Sequence, residues 1–220
     1  MPEKAIADAE SDQLERLPRG RHNLTREQVE GSQRVRIMRA MAEAVGELGY
    51  VKTTVAEVLK RAGVSRETFY AQFDDKHDCF MAAFDRSAEE MINRMTVAFE
   101  QVSDSDGSEE ERISMMLASF LNLLAEEPGI ARTYYVEVYA AGQEAIEHRV
   151  DIQMGIVDLM MGMVVVADED RFSLQATMAA IGAIVTQVVS LGQTENLPHL
   201  QPQLLQFVMN SLRGINAKSA

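Results

Sequence analysis

Residues 49–76 read GYVKTTVAEVLKRAGVSRETFYAQFDDK, and the fold is decided by how this stretch is parsed. Thr54-Val-Ala-Glu57 has the form of a capping box, which predicts a short helix with Val55, Val58 and Leu59 inward. Ala62-Gly63 ends that helix. Ser65 then caps another, with Val64 and Phe69 in staple positions. Gly63 suits the left-handed backbone of so tight a connection, and Val64 can plug the corner between the helices. Two short helices joined this way predict a helix-turn-helix. In that geometry the second helix projects its N-terminal half into the major groove while the first crosses the phosphates.

The side chains suit that geometry. Phe69 and Phe73, four apart, share the core face. Arg66 can fork onto guanine O6 and N7, and Gln72 can pair with adenine or reach a phosphate. Thr54, the Tyr70 hydroxyl and the Lys76 ammonium suit phosphate oxygens. Glu67 is the discordant charge, able to accept from cytosine N4 or to discourage other sequences. Tyr70 divides evenly between a core and a groove role.

Net charge over all 220 residues is −13, which taken alone argues against a polyanionic partner. Its distribution reverses that inference. Residues 16–66 hold eleven Lys/Arg against five Asp/Glu, a net of +6, whereas residues 67–220 carry −15. A basic quarter joined to an acidic remainder predicts one face for DNA, the alternative being a solvated charged surface. The single cysteine, Cys79, excludes an intramolecular disulfide framework and fits a reducing compartment. No secretory signal is visible, and the longest strictly apolar run, Leu159 to Ala167, is too short to span a bilayer. The expected location is cytoplasmic.

Working outward, residues 1–23 read as a mobile basic arm with Arg16, Arg19, Arg21 and His22. Residues 24–76 read as the DNA-binding domain and 77–220 as a helical ligand-binding and dimerisation domain. Thr25-Arg-Glu-Gln28 is a capping box with Leu24 and Val29 as staple. It opens a first helix with Val35, Met38, Met41, Ala42, Val45 and Leu48 inward, ended by Gly49, and with Gly31 able to kink its first turn. Asp74 or Asp75 starts a fourth, long helix with the stripe Phe80, Phe84, Met91, Met95 and Ala98 or Phe99, and residues 102–109 form a loop. Further helices are expected near 109–126, 129–141, 144–166, 172–191 and 202–215. Apart from a short apolar run at Val164 to Ala167 there is no strand pattern, so the expected fold is all-α.

The stretch resembles the DNA-binding domain of the tetracycline-repressor (TetR) family over roughly residues 30–80. The matching features are Arg34-x-Arg36-Ile37, Gly49-Tyr50, Thr53-Thr54-Val55, Ala62-Gly63-Val64-Ser65, Thr68-x-Tyr70-x-x-Phe73 and Lys76. The resemblance implies groove or phosphate contacts by Thr54, Ser65, Arg66, Thr68, Tyr70, Gln72 and Lys76. Many relatives carry histidine where this chain has Gln72. With Arg34, Arg36 and Glu67, these residues complete the candidate DNA-binding set. The segment Leu17-Pro-Arg-Gly-Arg21 resembles arms that lay arginines along the minor groove.

Beyond residue 80, methionines and aromatics dominate the expected inward positions. They are Met91, Met95, Phe99, Met115, Met116, Phe120, Tyr134, Tyr135, Tyr139, Met154, Met160, Met161 and Met163. Thioethers conform to irregular apolar ligands, although any one methionine is more often an ordinary core residue. The candidate ligand site is Met91, Met95, Phe99, Met116, Phe120, Tyr134, Tyr135, Glu137, Tyr139 and His148, with Glu137, His148 and Gln187 as polar anchors. The 172–191 helix is apolar nearly all round and with the 202–215 helix predicts a two-fold four-helix dimer seam, the alternative being a buried helix of a monomer.

The expected function is a homodimeric repressor of a palindromic operator, released by a small apolar ligand, with no cofactor and no metal. The four histidines lie far apart, and no phosphate loop or nucleophile elbow appears, which speaks against an enzyme. The rival reading is a helical ligand-binding or scaffolding protein that no longer regulates through DNA.

Overall fold

The computed structural model describes residues 25–103, 107–163 and 171–216. The expectations for the arm at 1–23, Leu24, the Val164 to Ala167 run and the side chains of Met163 and Ile215 lie outside the described residues. Every regular element described is helical, and the chain divides into two compact units, the first ending at Ala83 and the second beginning at Phe84.

The first unit opens with α1, Arg26–Leu48. Its start is a complete capping box: Thr25 Oγ1 accepts from the Gln28 N–H (3.2 Å), and Gln28 Oε1 accepts from the Thr25 N–H (2.9 Å). The helix continues through Gly31 and ends at Gly49, whose φ of 81° is closed to most side chains. Ile37, Ala40, Met41, Ala44 and Val45 form the buried stripe. Leu48, expected inward, is instead 37% exposed at the last turn.

α2, Val55–Ala62, is capped by Thr54, whose Oγ1 accepts from the Glu57 N–H at 3.3 Å. Glu57 does not complete the predicted box. Its carboxylate lies 4.0 Å from Arg61 on the next turn, a pairing of i and i+4 that competes for it. Gly63 adopts φ 64°, ψ 39°, the left-handed turn the sequence requires. α3, Arg66–Tyr70, follows its Ser65 cap, with Phe69 and Phe73 packed beneath it. Arg61 reaches from α2 to Glu47 of α1 by two bonds of 3.0 and 2.7 Å, and that guanidinium holds the Glu47 carboxyl below its ordinary range.

α4, Lys76–Ser103, begins where Asp75 Oδ1 accepts from the N–H groups of His77 (2.7 Å) and Asp78 (2.9 Å). It supplies Cys79 and Phe80 to the first unit and Phe84, Met91, Met95 and Phe99 to the second, all buried.

In the second unit α5 spans Glu109–Glu126 from a capping box of Ser108 and Glu111. The predicted 129–141 helix is not uniform. It consists of α6, Pro128–Arg132, a π-helical turn, Thr133–Glu137, and α7, Val138–Ala141. α8 is Gln143–Met163, α9 is Arg171–Ser190, and a 3-10 segment, Thr194–Leu200, leads into α10, Gln201–Asn216. The 3-10 segment packs on α5 and α9. α10 packs on the same two helices, and α9 also meets α8 and the π turn. Gln201 Nε2 donates to Ser114 Oγ at 2.8 Å, tying α10 to α5. Ile113, Leu117, Leu121, Val157, Val185, Val189 and Leu197 form the centre, each worth roughly 1.5–3 kcal/mol of burial.

Met115 and Tyr139, expected inward, are 46% and 51% exposed. α9 is long and apolar enough, by length and composition, to cross a membrane. It buries one face through Leu174, Thr177, Ile181, Val185 and Val189 and leaves Phe172 and Ile184 exposed, while α10 exposes Phe207.

Candidate functional site

The DNA-reading face is built on the Ser65 cap. Ser65 Oγ accepts from the Thr68 N–H at 3.0 Å and lies 2.9 Å from Thr68 Oγ1, so both hydroxyls are turned toward the start of α3. Arg66 and Glu67 are exposed, and Tyr70 is 49% exposed with its ring edge-on to buried Phe69. Tyr70 is therefore half of each alternative, with its ring against the core and its outer edge in solvent. Thr54 is exposed at the start of α2.

Other members of the predicted set are engaged inside the protein. Arg34 Nη1 donates to the Gln72 carbonyl at 2.8 Å, and its guanidinium lies 4.3 Å from the Phe73 ring centroid. Gln72 Nε2 donates to the Glu30 carbonyl at 3.0 Å. These bonds fasten the chain after α3 to the first turns of α1. Lys76 Nζ donates to the Tyr50 carbonyl at 3.0 Å and sits 4.1 Å over the Tyr50 ring, and burial lowers the pKa of this ammonium. Arg36 is half-buried with an unpartnered Nε. Arg34, Gln72 and Lys76 thus each tie neighbouring segments of the first unit together.

In the second unit a cavity of about 90 Å³ lies among α4, α5, the π turn, α8, α9 and α10. Met91, Met95, Met116, Phe120, Tyr134 and Tyr135 of the predicted set line it. Phe99, Glu137, Tyr139 and His148 are not among its lining residues. Phe99 packs under Arg112, and Glu137 is paired with Arg132 at 2.5 Å. His148 is bonded through Nε2 to Asp85, and Gln187 is exposed. One residue decides the difference on α8. Successive helical positions differ by about 100°, so Arg149 and Gln153 share the cavity face while His148 turns to α4.

The polar equipment of the cavity is sparse. The Tyr135 hydroxyl is buried and, among the described residues, donates only to the thioether Met91 Sδ, at 3.9 Å. Burial pushes the Tyr134 and Tyr135 phenols up, so both stay neutral hydrogen-bond donors. Thr177 donates its hydroxyl to the Ser173 carbonyl at 2.9 Å. Arg149, Gln153, Thr177, Met178 and Ile181 were not in the predicted set. Among the described residues no group of three or more His, Cys, Asp or Glu is placed to hold a metal ion.

Comparison with known proteins agrees with this geometry. Residues 37–83 match the model of bacterial regulatory proteins of the tetR family. The fatty acid metabolism regulator protein of Bacillus subtilis (strain 168) is 22% identical over 189 residues, 82% of this chain and 95% of its own length. The fatty acid degradation regulator FadR of Bacillus halodurans superposes with a TM-score of 0.68 at 19% identity, over 79% of this chain and 93% of its own. The transcriptional regulator FadR of Bacillus subtilis, in complex with stearoyl-CoA, gives 0.64 at 21%, over 78% and 95%. Residues 37–83 thus match the DNA-binding domain of the tetR family, and over most of its length the chain has the fold of the regulators it resembles.

Proposed function

We propose that this regulator is a cytoplasmic homodimeric repressor of a palindromic operator, released when a small, mainly apolar ligand of the long-chain acyl class occupies the cavity of the second unit. The observation that carries the reading is the cavity itself, walled by flexible methionines and aromatics with few polar groups. The stearoyl-CoA held by the Bacillus subtilis relative supports the ligand class. At about 90 Å³ the cavity would hold only a handful of waters, at roughly 10–15 Å³ each. An acyl chain therefore enters by moving the helices around it, which is what a switch needs.

Exposed Arg66, with Thr54, Ser65, Thr68 and the outer edge of Tyr70, supplies the DNA contacts, Glu67 restricts the bases accepted, and Arg34, Arg36, Gln72 and Lys76 position the reading helix. The exposed polar start of α3 speaks against the scaffolding alternative. Uncovered Phe172, Ile184 and Phe207 on α9 and α10 support a two-fold seam there. One helix, α4, carries Lys76 at its start and Met91 and Met95 further along. A shift at the cavity can thus reach the reading unit and change the spacing of two recognition helices that must match successive major grooves, roughly 34 Å apart. The protein acts as a regulator and not as an enzyme.

Selection of bound duplexes from random DNA tests the DNA half of the proposal. The expected product is a palindrome with two half-sites, bound by a species of twice the chain mass. Recovery of no sequence preference, or binding by a monomer, contradicts it.

A further inference from the structure

One charged side chain interrupts the cavity wall. Among the described residues, Arg149 is the only charged one lining it. Its guanidinium lies 5.5 Å from the ring centroids of both Tyr134 and Tyr139. Tyr134 is 3% exposed and Tyr139 51%, so the two rings hold the cation between interior and surface, at one end of the apolar space. Arg149 Nε is buried with no hydrogen-bond partner, and among the described residues no carboxylate is paired with Arg149. The acids on neighbouring segments are engaged elsewhere, Glu137 with Arg132 and Asp85 with His148. Gln153, four residues on along α8, presents an amide to the same space.

An arginine at the edge of a low-dielectric cavity without a counter-charge is unfavourable until an anion meets it. The planar fork suits a carboxylate or a phosphate, and stacking against tyrosines fixes its plane. We propose that Arg149 is the head-group anchor of this cavity, taking the anionic end of an amphipathic ligand whose apolar tail lies among Met91, Met95, Met116 and Met160. The inference rests on the reading of the cavity as the ligand site. It adds that the site selects for charge at one end of the ligand as well as for apolar length. The anion is either the carboxylate of a free acid or a phosphate of an acyl thioester.

The full chain, its R149Q variant and its R149K variant would be titrated with stearate, stearoyl-CoA and octadecan-1-ol, followed by tyrosine fluorescence because the chain has no tryptophan. R149Q is expected to weaken at least one anionic probe roughly ten- to hundredfold while binding octadecan-1-ol as the wild type does. R149K, which keeps the charge, is expected to retain part of the preference. Loss confined to stearate identifies a carboxylate head, and loss confined to stearoyl-CoA identifies a phosphate; either supports the anchor. Unchanged binding of both anions by R149Q overturns it. Equal loss of all three probes also overturns it, since Arg149 would then serve only to shape the cavity. Failure of the wild type to bind any probe overturns the cavity reading itself, an outcome distinct from the other two.

Discussion

Gly182 offers a clean perturbation of the cavity, because it lines the space from the middle of α9 and a Cβ built there meets nothing within 4 Å. For Gly182→Ala the change is one of helix propensity. A glycine inside a helix costs about 0.8–1.0 kcal/mol relative to alanine, and the new methyl neither clashes nor gains packing. The variant should therefore be more stable by about 1 kcal/mol, which for a chain of this size raises Tm by roughly 2–4 °C. Gly182→Leu goes further. Its side chain occupies space the ligand needs, so operator affinity without ligand should stay the same while stearoyl-CoA no longer releases the DNA. Thermal unfolding reads the first effect and fluorescence anisotropy of labelled operator reads the second. If Gly182→Leu leaves ligand-driven release intact, the cavity is not the ligand site. If Gly182→Ala lowers Tm, the absence of contacts around that Cβ has been misjudged.

Arg66→Ala should cost about 1–3 kcal/mol on the selected operator and relax preference at one base position, with unfolding unchanged because the side chain is exposed; competition binding against substituted operators checks this. Arg34→Ala removes the bond to the Gln72 carbonyl and the stacking on Phe73. It should lower stability by about 1–2 kcal/mol in a urea melt and weaken all DNA sequences alike. Burial pushes the Cys79 thiol up to about 12 from an ordinary value of 9.0. The native protein should therefore react with disulfide reagents at pH 8 only as fast as it opens, and the same rate before and after denaturation would contradict this. Because the unfolded thiol ionises first, its contribution to stability is whole below pH 9 and is lost as pH rises toward 12. The slope is at most about 1.4 kcal/mol per pH unit, measurable by urea melts across that range.

Helix starts were the most legible part of the chain, since a cap is a local interaction between residues three apart. Thr25 with Gln28 and Ser65 with Thr68 both form, and the helix expected at 109–126 is Glu109–Glu126, although its Ser108 cap is not among the starts read from the sequence. The left-handed turn at Gly63 was legible for the same reason. The π turn at Thr133–Glu137 was not, because no residue type marks it and its register depends on packing against α9. For the candidate site, periodicity found the cavity lining at Met91, Met95, Met116, Phe120, Tyr134 and Tyr135, but on α8 the cavity is lined by Arg149 and not by His148. His148 and Arg149 are neighbours in sequence, and a rotation of about 100° separates Asp85 from the cavity. Likewise Arg34 and Lys76 look like phosphate ligands by type, and their bonds to Gln72 and Tyr50 are tertiary contacts that no local pattern marks.

The central claim is that the cavity and the DNA face act on each other. Its most direct test is a pair of titrations with the full chain: the selected operator in the absence and presence of saturating stearoyl-CoA, and stearoyl-CoA in the absence and presence of saturating operator. Linkage requires that each partner weaken the other by the same factor, and typical coupling would make that factor about 5–150. Operator and ligand affinities that are each unchanged by the other would mean that the cavity, whatever it binds, does not control DNA release.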